Sequence, residues 1–367
     1  MLIAVKPFLE LPVLFKPFTE KPFYFESDLK KPSNFNDEEY MVLCGMAGEK
    51  FREKTTGKKG NDLTKLVIGG RRGDKGWNSD LLWACGQPRG NGWIRLVGWF
   101  LVKILRLTSE EVTVDLTSFQ DLARQLKRSP NSTVVLAPTH RSMYDFLLLS
   151  YLTFTVPELN LALPSIAAAD DFEKIPVLGR IAEGSGAMFI KRGGGGGQGL
   201  SQRLMGLMGI GKVIEVFVEG TRSRDRRFLK PKTGFLRALA EGSNGGDVVI
   251  VPICISYERT AEQKAFVDGG GGVKEGGFGS WVTRVWGGRV KLGRIHIEAG
   301  EVVALSKKSN FAHVAKVVQQ GQMGGIRVSD YHIRAGSVVL GVEESVLERA
   351  LVKVGVKQWP TGNKTSG

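Results

Sequence analysis

The sequence predicts an α/β domain built on a mixed, mostly parallel sheet with helices on its flanks. Short apolar runs of strand length recur between residues 133 and 297 and alternate with segments of helical pattern. This alternation is typical of a parallel sheet, because the chain must cross back, usually through a helix, before it adds the next parallel strand. The strands we predict are 134–137, 160–168, 186–192, 213–219, 248–255 and 294–297, and the helices are 117–126, 144–152, 171–181, 200–210 and 235–241.

The domain limits follow from changes in composition along the 367 residues. Residues 1–90 have weak periodicity, several prolines and runs of charge, so we predict a largely disordered N-terminal extension. Residues 91–305 hold the alternating pattern and form the predicted folded domain. Residues 306–367 show a helical pattern only at 342–354, so we predict a C-terminal extension that is partly helical.

Residues 92–107, GWIRLVGWFLVKILRL, form a predicted amphipathic helix at the start of the folded domain. Its three cations share one side of a helical wheel, and the rest of the helix is apolar, with two tryptophans. At 1.5 Å per residue its length is about 24 Å, which is shorter than the ~30 Å hydrocarbon core of a bilayer. Two interpretations stay open: a helix lying in a membrane interface, or a helix packed on the domain.

The net charge and the cysteine content indicate which class of partner and which redox compartment to expect. Its net charge of +14 comes from 51 Lys and Arg against 37 Asp and Glu. Such an excess favours a polyanionic partner, whether nucleic acid, anionic lipid headgroups or phosphorylated small molecules. The three cysteines are far apart and show no C-x-x-C pairing, which argues against a disulfide framework and a zinc site. We therefore expect the chain to act in a reducing compartment.

The turn THRSMYD links the strand that ends at Pro138 to the next helix. A strand end that feeds a helix start is where α/β folds place ligands and chemistry. His140 and Asp145 are five residues apart across this turn, close enough for the carboxylate to accept a hydrogen bond from one imidazole nitrogen. The other nitrogen would then be basic and accessible, as a general base requires.

Three further segments add cations and a proline to the same region of the predicted sheet. GAMFIKR places Arg192 at the end of a strand. FVEGTRSR follows another strand with Glu219, a glycine turn at Gly220, and then Arg222 and Arg224. The basic series continues to FLKPK, and two interpretations of it stay open: a solvated loop, or further ligands for an anion. The third segment, VPICISY, has a proline inside an apolar strand. Arginine suits phosphate because its planar fork makes two parallel hydrogen bonds to neighbouring oxygens.

In order and spacing, THRSMYD, GAMFIKR, FVEGTRSR and VPICISY resemble the four motif blocks of the glycerolipid acyltransferases that use acyl-coenzyme A or acyl carrier protein. The resemblance covers residues 134–303, under half of the chain. It is closest to glycerol-3-phosphate and dihydroxyacetone-phosphate acyltransferases, which typically carry His-Arg-Ser in the first block and end the third in Arg-Ser-Arg. Lysophosphatidate acyltransferases more often have Pro where Val218 stands. The resemblance implies the glycerol-3-phosphate acyltransferase type of α/β fold, with residues 91–305 as the acyltransferase domain.

The resemblance also implies a role for each matching residue. His140 would be the general base that takes the proton of the acceptor hydroxyl, and Asp145 would orient and stabilise the resulting imidazolium. The hydroxyl would attack the thioester directly, so no acyl-enzyme, metal or bound cofactor is expected. We hypothesise that backbone amides near Ser142 stabilise the oxyanion. The substrate-binding residues implied are Arg141, Ser142, Arg192, Glu219, Gly220, Thr221, Arg222, Arg224 and Pro252.

The implied function is transfer of a fatty acyl group from acyl-coenzyme A to the 1-hydroxyl of glycerol 3-phosphate in glycerolipid biosynthesis. The enzyme would be associated with a membrane, with its active site facing a reducing compartment. The acceptor could instead be dihydroxyacetone phosphate or lysophosphatidate. The chain could also be an inactive membrane-bound scaffold, because a glycine run at 193–197 stands where relatives have a longer helix. A basic nucleic-acid-binding protein is the remaining alternative, but without a recognition-helix or stacking-aromatic pattern no nucleic-acid partner is expected.

Overall fold

The computed structural model describes residues 65–69, 101, 103–129, 132–142, 144–155, 161, 164–169, 188–190, 201, 204–205, 208, 213–223, 227–243, 245–261 and 290–359. Most of the predicted N-terminal extension and the predicted helix at 171–181 lie outside these ranges. Two predicted substrate-binding residues, Arg192 and Arg224, also lie outside them, as do both tryptophans of the 92–107 segment.

The described residues form eleven strands. They are β1 (Lys65–Gly69), β2 (Ser109–Asp115), β3 (Thr133–Pro138), β4 (Ser165–Ala169), β5 (Met188–Ile190), β6 (Val213–Glu215), β7 (Val248–Tyr257), β8 (Gly293–Ala299), β9 (Val303–Leu305), β10 (Arg327–Val328) and β11 (Lys357–Gln358). Each of the six predicted strands overlaps one of these. The other five, β1 (inside the predicted extension), β2, β9, β10 and β11, were not predicted.

The helices with full bounds are α1 (Leu116–Leu126), α2 (Asp145–Thr155), α3 (Gly234–Gly242), α4 (Phe311–Gly324), α5 (Asp330–Leu340) and α6 (Glu344–Lys353). Residues 103–108 are also helical. The helices predicted at 117–126, 144–152 and 235–241 are confirmed as α1, α2 and α3. The helix predicted at 342–354 is confirmed as α6, but α4 and α5 were not predicted.

Nine of the described strands form one sheet in the order β1-β2-β8-β7-β3-β6-β4-β5, with β9 also paired to β7. In its centre β7, β3, β6, β4 and β5 are parallel neighbours. β8 and β9 run antiparallel to β7, β2 is parallel to β8, and β1 is antiparallel to β2. The predicted mixed, mostly parallel sheet is therefore confirmed. The central strands bring their carboxyl ends to one edge, where the THRSMYD and FVEGTRSR segments begin.

The sheet has a hydrophobic core on each face, because successive side chains of a strand point to opposite sides. Leu136 of β3 belongs to a core that includes α1 and α2, and its neighbour Ala137 belongs to a second core with α3 and α4. Ile104 and Leu105 are buried in the first core. The described end of the 92–107 segment is thus packed on the domain.

The chain beyond the predicted limit at residue 305 continues to cover the sheet. α4 places Val314 in the second core, and the Gln322 side-chain amide donates to the Ala137 carbonyl (2.8 Å). α5 and α6 follow, and the short β10–β11 pair joins the two ends of this region. Among the described residues, no helix combines the length and the apolar character that crossing a bilayer requires.

Candidate active site

The first element of the site is the turn that follows β3. Pro138 is paired with Ile253 of β7, and Thr139 N then donates to the Ile253 carbonyl (2.9 Å). The Thr139 hydroxyl accepts a hydrogen bond from Ile255 N (3.1 Å). This buried threonine fixes the start of the turn against β7, so the next residue, His140, stands at the carboxyl edge of the sheet.

Asp145, the first residue of α2, is fully buried, and its carboxylate accepts several hydrogen bonds. One carboxylate oxygen, Oδ2, accepts from Arg141 N (2.6 Å) and Ser142 N (2.9 Å), and the other, Oδ1, accepts from the Tyr257 hydroxyl (2.6 Å). Hydrogen bonds to backbone amides hold this carboxylate in one position without a cation. The same two amides are engaged by Asp145, so they do not fit the oxyanion role that we hypothesised near Ser142.

His140 lies between this carboxylate and an aromatic ring. Its Nδ1 is 3.4 Å from Asp145 Oδ2, and its ring stacks on Phe217 with a centroid distance of 4.1 Å and an interplanar angle of 29°. The side chain is 18% exposed. With Nδ1 directed at the carboxylate, Nε2 is the nitrogen left for a ligand. The predicted contact between His140 and Asp145 is therefore present, and the imidazole is open to solvent.

Arg141 joins the first block to the third. Its guanidinium donates to the Arg227 carbonyl (3.1 Å), lies over the Phe228 ring at 3.9 Å from the centroid, and comes within 3.9 Å of Glu219 Oε2. The arginine is predicted to bind substrate, and its substrate role stays a prediction. In the structure these contacts turn it toward the protein, where it holds the two blocks together.

The FVEGTRSR segment forms a tight turn at the end of β6. Glu219 is buried, and its Oε2 accepts from Leu229 N (2.7 Å). Gly220 has φ +67°, in the left-handed region that favours glycine, and its amide donates to the Phe217 carbonyl (2.9 Å). Thr221 is exposed and Arg222 is partly exposed. The turn thus places polar groups beside the ring on which His140 stacks.

Two further predicted residues, Ser142 and Pro252, are buried away from solvent. The Ser142 hydroxyl accepts from Tyr144 N (3.3 Å) in the first turn leading into α2. Pro252 lies beside Ala137 in the sheet and packs under α4, where a Cβ added to Gly321 would be 2.9 Å from the proline Cγ. Their predicted contact with substrate is untested, and both have clear packing or turn-forming roles.

Glu215, at the end of β6, is a polar residue that we did not predict. It is aligned with Leu136, on the same face of the sheet as Asp145, and is fully buried. Neither carboxylate oxygen has a hydrogen-bond partner among the described residues. Burial, and then the nearby charge of Asp145, raise the pKa of the Glu215 carboxyl well above its ordinary value. An acid inside an otherwise apolar strand was the signal in the sequence for this group.

A second polar cluster lies in β2 and β8, away from the THRSMYD turn. We name Asp115, His296 and Glu298 the core cluster; their potential ligand atoms lie within 4.8 Å of one another. Arg327 donates to both carboxylates, and Lys357 also pairs with Glu298. The charge that a metal ion would neutralise is thus already balanced by two cations of the protein.

One family model matches the part of the chain that contains the central strands. The family model described as Acyltransferase matches residues 120–256, a range that includes the His140 turn, the Gly220 turn and nearly all of β7. The chain carries an acyltransferase-family domain. In this acyltransferase domain the first block follows the end of β3, the third follows the end of β6, and the fourth lies in β7; β7, β3 and β6 are neighbouring parallel strands.

Similar proteins are named for acyl transfer to glycerol-phosphate-type acceptors. The chain is 35% identical over 228 residues to the dihydroxyacetone phosphate acyltransferase of Bos taurus, covering 58% of this chain and 32% of that protein. It is 34% identical over 225 residues to the glycerol-3-phosphate acyltransferase of Actinobacillus succinogenes, covering 59% of this chain and 26% of that protein. The chain thus spans about a third or less of the length of these curated relatives.

A solved structure also aligns with the chain. It is the 1-acyl-sn-glycerophosphate acyltransferase of Thermotoga maritima, at 17% identity and a TM-score of 0.32, covering 62% of this chain and 80% of that chain.

Proposed function

We propose that the acyltransferase domain moves a fatty acyl group from acyl-coenzyme A to the 1-hydroxyl of glycerol 3-phosphate. The observation that carries the proposal is the partly exposed imidazole of His140, held against the buried carboxylate of Asp145 at the sheet edge where the Gly220 turn also lies. The similarity to relatives named for glycerol 3-phosphate and dihydroxyacetone phosphate supports an acceptor that carries a phosphate.

In the proposed reaction His140 acts first as base and then as acid. The acceptor hydroxyl oxygen attacks the carbonyl carbon of the thioester while His140 Nε2 takes the hydroxyl proton. Asp145 stabilises the imidazolium that forms. When the tetrahedral intermediate collapses, the C–S bond breaks and the imidazolium returns its proton to the leaving thiolate, so an ester and a free thiol are the products. The thioester is already activated, so we propose no metal or bound cofactor for this step.

The acceptor and the setting are further parts of the proposal. Dihydroxyacetone phosphate is the second candidate acceptor, because a relative at 35% identity is named for it. Lysophosphatidate is the third. The product carries a fatty chain, so we propose that the domain works at a membrane surface, with the donor and the phosphate acceptor arriving from a reducing aqueous compartment. A comparison of kcat/KM for the three acceptors at one acyl-coenzyme A concentration ranks them directly.

The decisive experiment measures thiol release by the purified full chain with a long-chain acyl-coenzyme A and glycerol 3-phosphate. We expect His140→Ala to lower kcat by about 10²- to 10⁴-fold, since it removes the proton acceptor. His313→Ala is the matched control, because His313 is an exposed histidine on α4, and it should keep wild-type turnover. Equal turnover in wild type and His140→Ala would refute the proposed role of the imidazole.

A further inference from the structure

The basic residues after the Gly220 turn do not form a free loop. We call residues 227–232, RFLKPK, the return segment, because it runs back along the end of β6. Four hydrogen bonds fix its backbone: Arg141 Nη1 donates to Arg227 O (3.1 Å), Leu229 N to Glu219 Oε2 (2.7 Å), Gln319 Nε2 to Leu229 O (2.6 Å) and Lys232 N to Val218 O (2.7 Å). Its last residue is therefore held next to the third block.

The side chain of Lys232 lies across the backbone of Gly220. A Cβ added to Gly220 would be 3.0 Å from Lys232 Cδ, 3.2 Å from its ammonium nitrogen Nζ and 3.3 Å from Cε. The φ of +67° favours glycine at this position, and a side chain there would have to shift the flexible end of Lys232. The ammonium is consequently positioned over the turn that joins Glu219 to Thr221.

Among the described residues, no acid pairs with the ammonium of Lys232. No carboxylate of the described residues lies within salt-bridge distance of its ammonium, and the residue is exposed. Arg141, by contrast, already contacts Glu219 and a backbone carbonyl. An anion that binds at the Gly220 turn would therefore meet Lys232 as an available cation.

We propose that Lys232 binds the phosphate of the acyl acceptor. The inference rests on the proposed function and adds a ligand to its substrate site. Both substrates of that reaction carry phosphates, but they lie at different distances from the reacting atoms. Only the glycerol carbons separate the acceptor phosphate from its hydroxyl, whereas the pantetheine arm separates the phosphates of coenzyme A from the thioester. The Gly220 turn adjoins Phe217, which stacks on His140, so the acceptor phosphate is the one within reach.

The test compares Lys232→Ala with Lys230→Ala in the full chain. Lys230 is the matched control because it is an exposed lysine of the same segment, so both variants change the net charge equally. Glycerol 3-phosphate and acyl-coenzyme A are varied independently. For Lys232→Ala we expect KM for glycerol 3-phosphate to rise about 10-fold or more, the loss typical of a charge-assisted hydrogen bond, with KM for acyl-coenzyme A unchanged. Lys232→Arg should recover part of the loss, and Lys230→Ala should resemble wild type.

Inhibition by inorganic phosphate gives a second measurement on the same variants. Competition against glycerol 3-phosphate should weaken in Lys232→Ala and stay unchanged in Lys230→Ala. Indistinguishable constants for the two alanine variants would overturn the proposal, as would a rise confined to KM for acyl-coenzyme A or a loss confined to kcat. If wild type itself shows no turnover with glycerol 3-phosphate, the proposed function fails instead, so the two failures are distinguishable.

Discussion

Two groups in the described part of the chain place a histidine beside a carboxylate, and they differ in access and in charge. In the first, His140 is 18% exposed, and Asp145 accepts hydrogen bonds from two backbone amides and a tyrosine hydroxyl. In the second, the core cluster, His296 is 2% exposed and shares a hydrogen bond with a threonine hydroxyl (2.8 Å). Its carboxylates are bonded to Arg327 and a lysine.

The position of each histidine along its strand explains the difference. His140 is the second residue after the end of β3 and so stands at the edge of the sheet, whereas His296 is inside β8, between β2 and β7. The carboxylates of the core cluster have Arg327 and Lys357 as partners, whereas the ion-pair contact of Asp145 among the described residues is with the imidazole of His140. A histidine beside an acid therefore suits proton transfer better where a ligand can reach the ring and the acid is not paired with a lysine or arginine.

The largest expected effect is at Asp145. Asp145→Asn removes the charge that stabilises the imidazolium, and we expect kcat to fall about 10³-fold, or about 4 kcal/mol in activation free energy. Steady-state thiol release measures it, with circular dichroism and thermal unfolding to confirm folding. Glu298→Gln, the equivalent change in the core cluster, should leave the kcat of the folded protein unchanged. Similar losses of kcat in both variants would remove the contrast between the two groups.

At Arg327 we expect the opposite result, a loss of stability without a loss of turnover. Its guanidinium contacts Asp115 and Glu298, and its amide donates to Ser256 Oγ (3.0 Å). Arg327→Met would leave two carboxylates without their main cation, so we expect the free energy of unfolding to fall by about 3 kcal/mol. Urea denaturation at neutral pH measures this loss. The folded fraction should turn over at the wild-type rate, and a stable variant that has lost activity would contradict a purely structural role for the core cluster.

The contact between His140 and Asp145 could be predicted from the sequence because its geometry is local. His140 and Asp145 are separated by one turn, and the strand before it and the helix after it were both visible as apolar patterns. Tyr257 could not be predicted, since it follows Asp145 by 112 residues. Its contact depends on the register of β7 against β3, and an apolar run does not encode which residues of another run it will face.

The surroundings of the pair were less predictable for the same reason. The substrate role of Arg141 stays a prediction, but its contacts with Phe228 and the Arg227 carbonyl were not predicted, because a long flexible side chain takes its partners from the tertiary structure. Likewise β2 begins with polar residues, SEEVTVD, and its strand conformation comes from pairing with β1 and β8. Local patterns thus predicted the central parallel strands, while the edge strands and the contacts between blocks required the folded chain.

The smallest effect is expected at Glu215. This carboxyl differs from Asp145 and from the acids of the core cluster because it has no hydrogen-bond partner among the described residues. The elements that surround it are β3 and β4, which carry no ionisable group, and α2, which contributes Asp145 and Tyr151. With a pKa raised well above the ordinary value, the folded state keeps a proton that the unfolded chain releases above about pH 4.5. The folded state is therefore stabilised less as pH rises, by up to about 1.4 kcal/mol per pH unit, until the pH passes the folded-state pKa.

Glu215→Gln isolates this ionisation, because glutamine has nearly the same shape and is uncharged at every pH. Its own cost of burial does not change with pH, so the informative quantity is the slope of the difference from wild type. We expect the variant to gain stability relative to wild type from pH 5 to pH 7, seen as a widening gap in Tm. Turnover should be nearly unchanged, since the proposed reaction gives Glu215 no role. A gap in Tm that stays constant with pH would mean that Glu215 is ionised in the folded protein, and that a buried acid beside Asp145 has a partner outside the described residues.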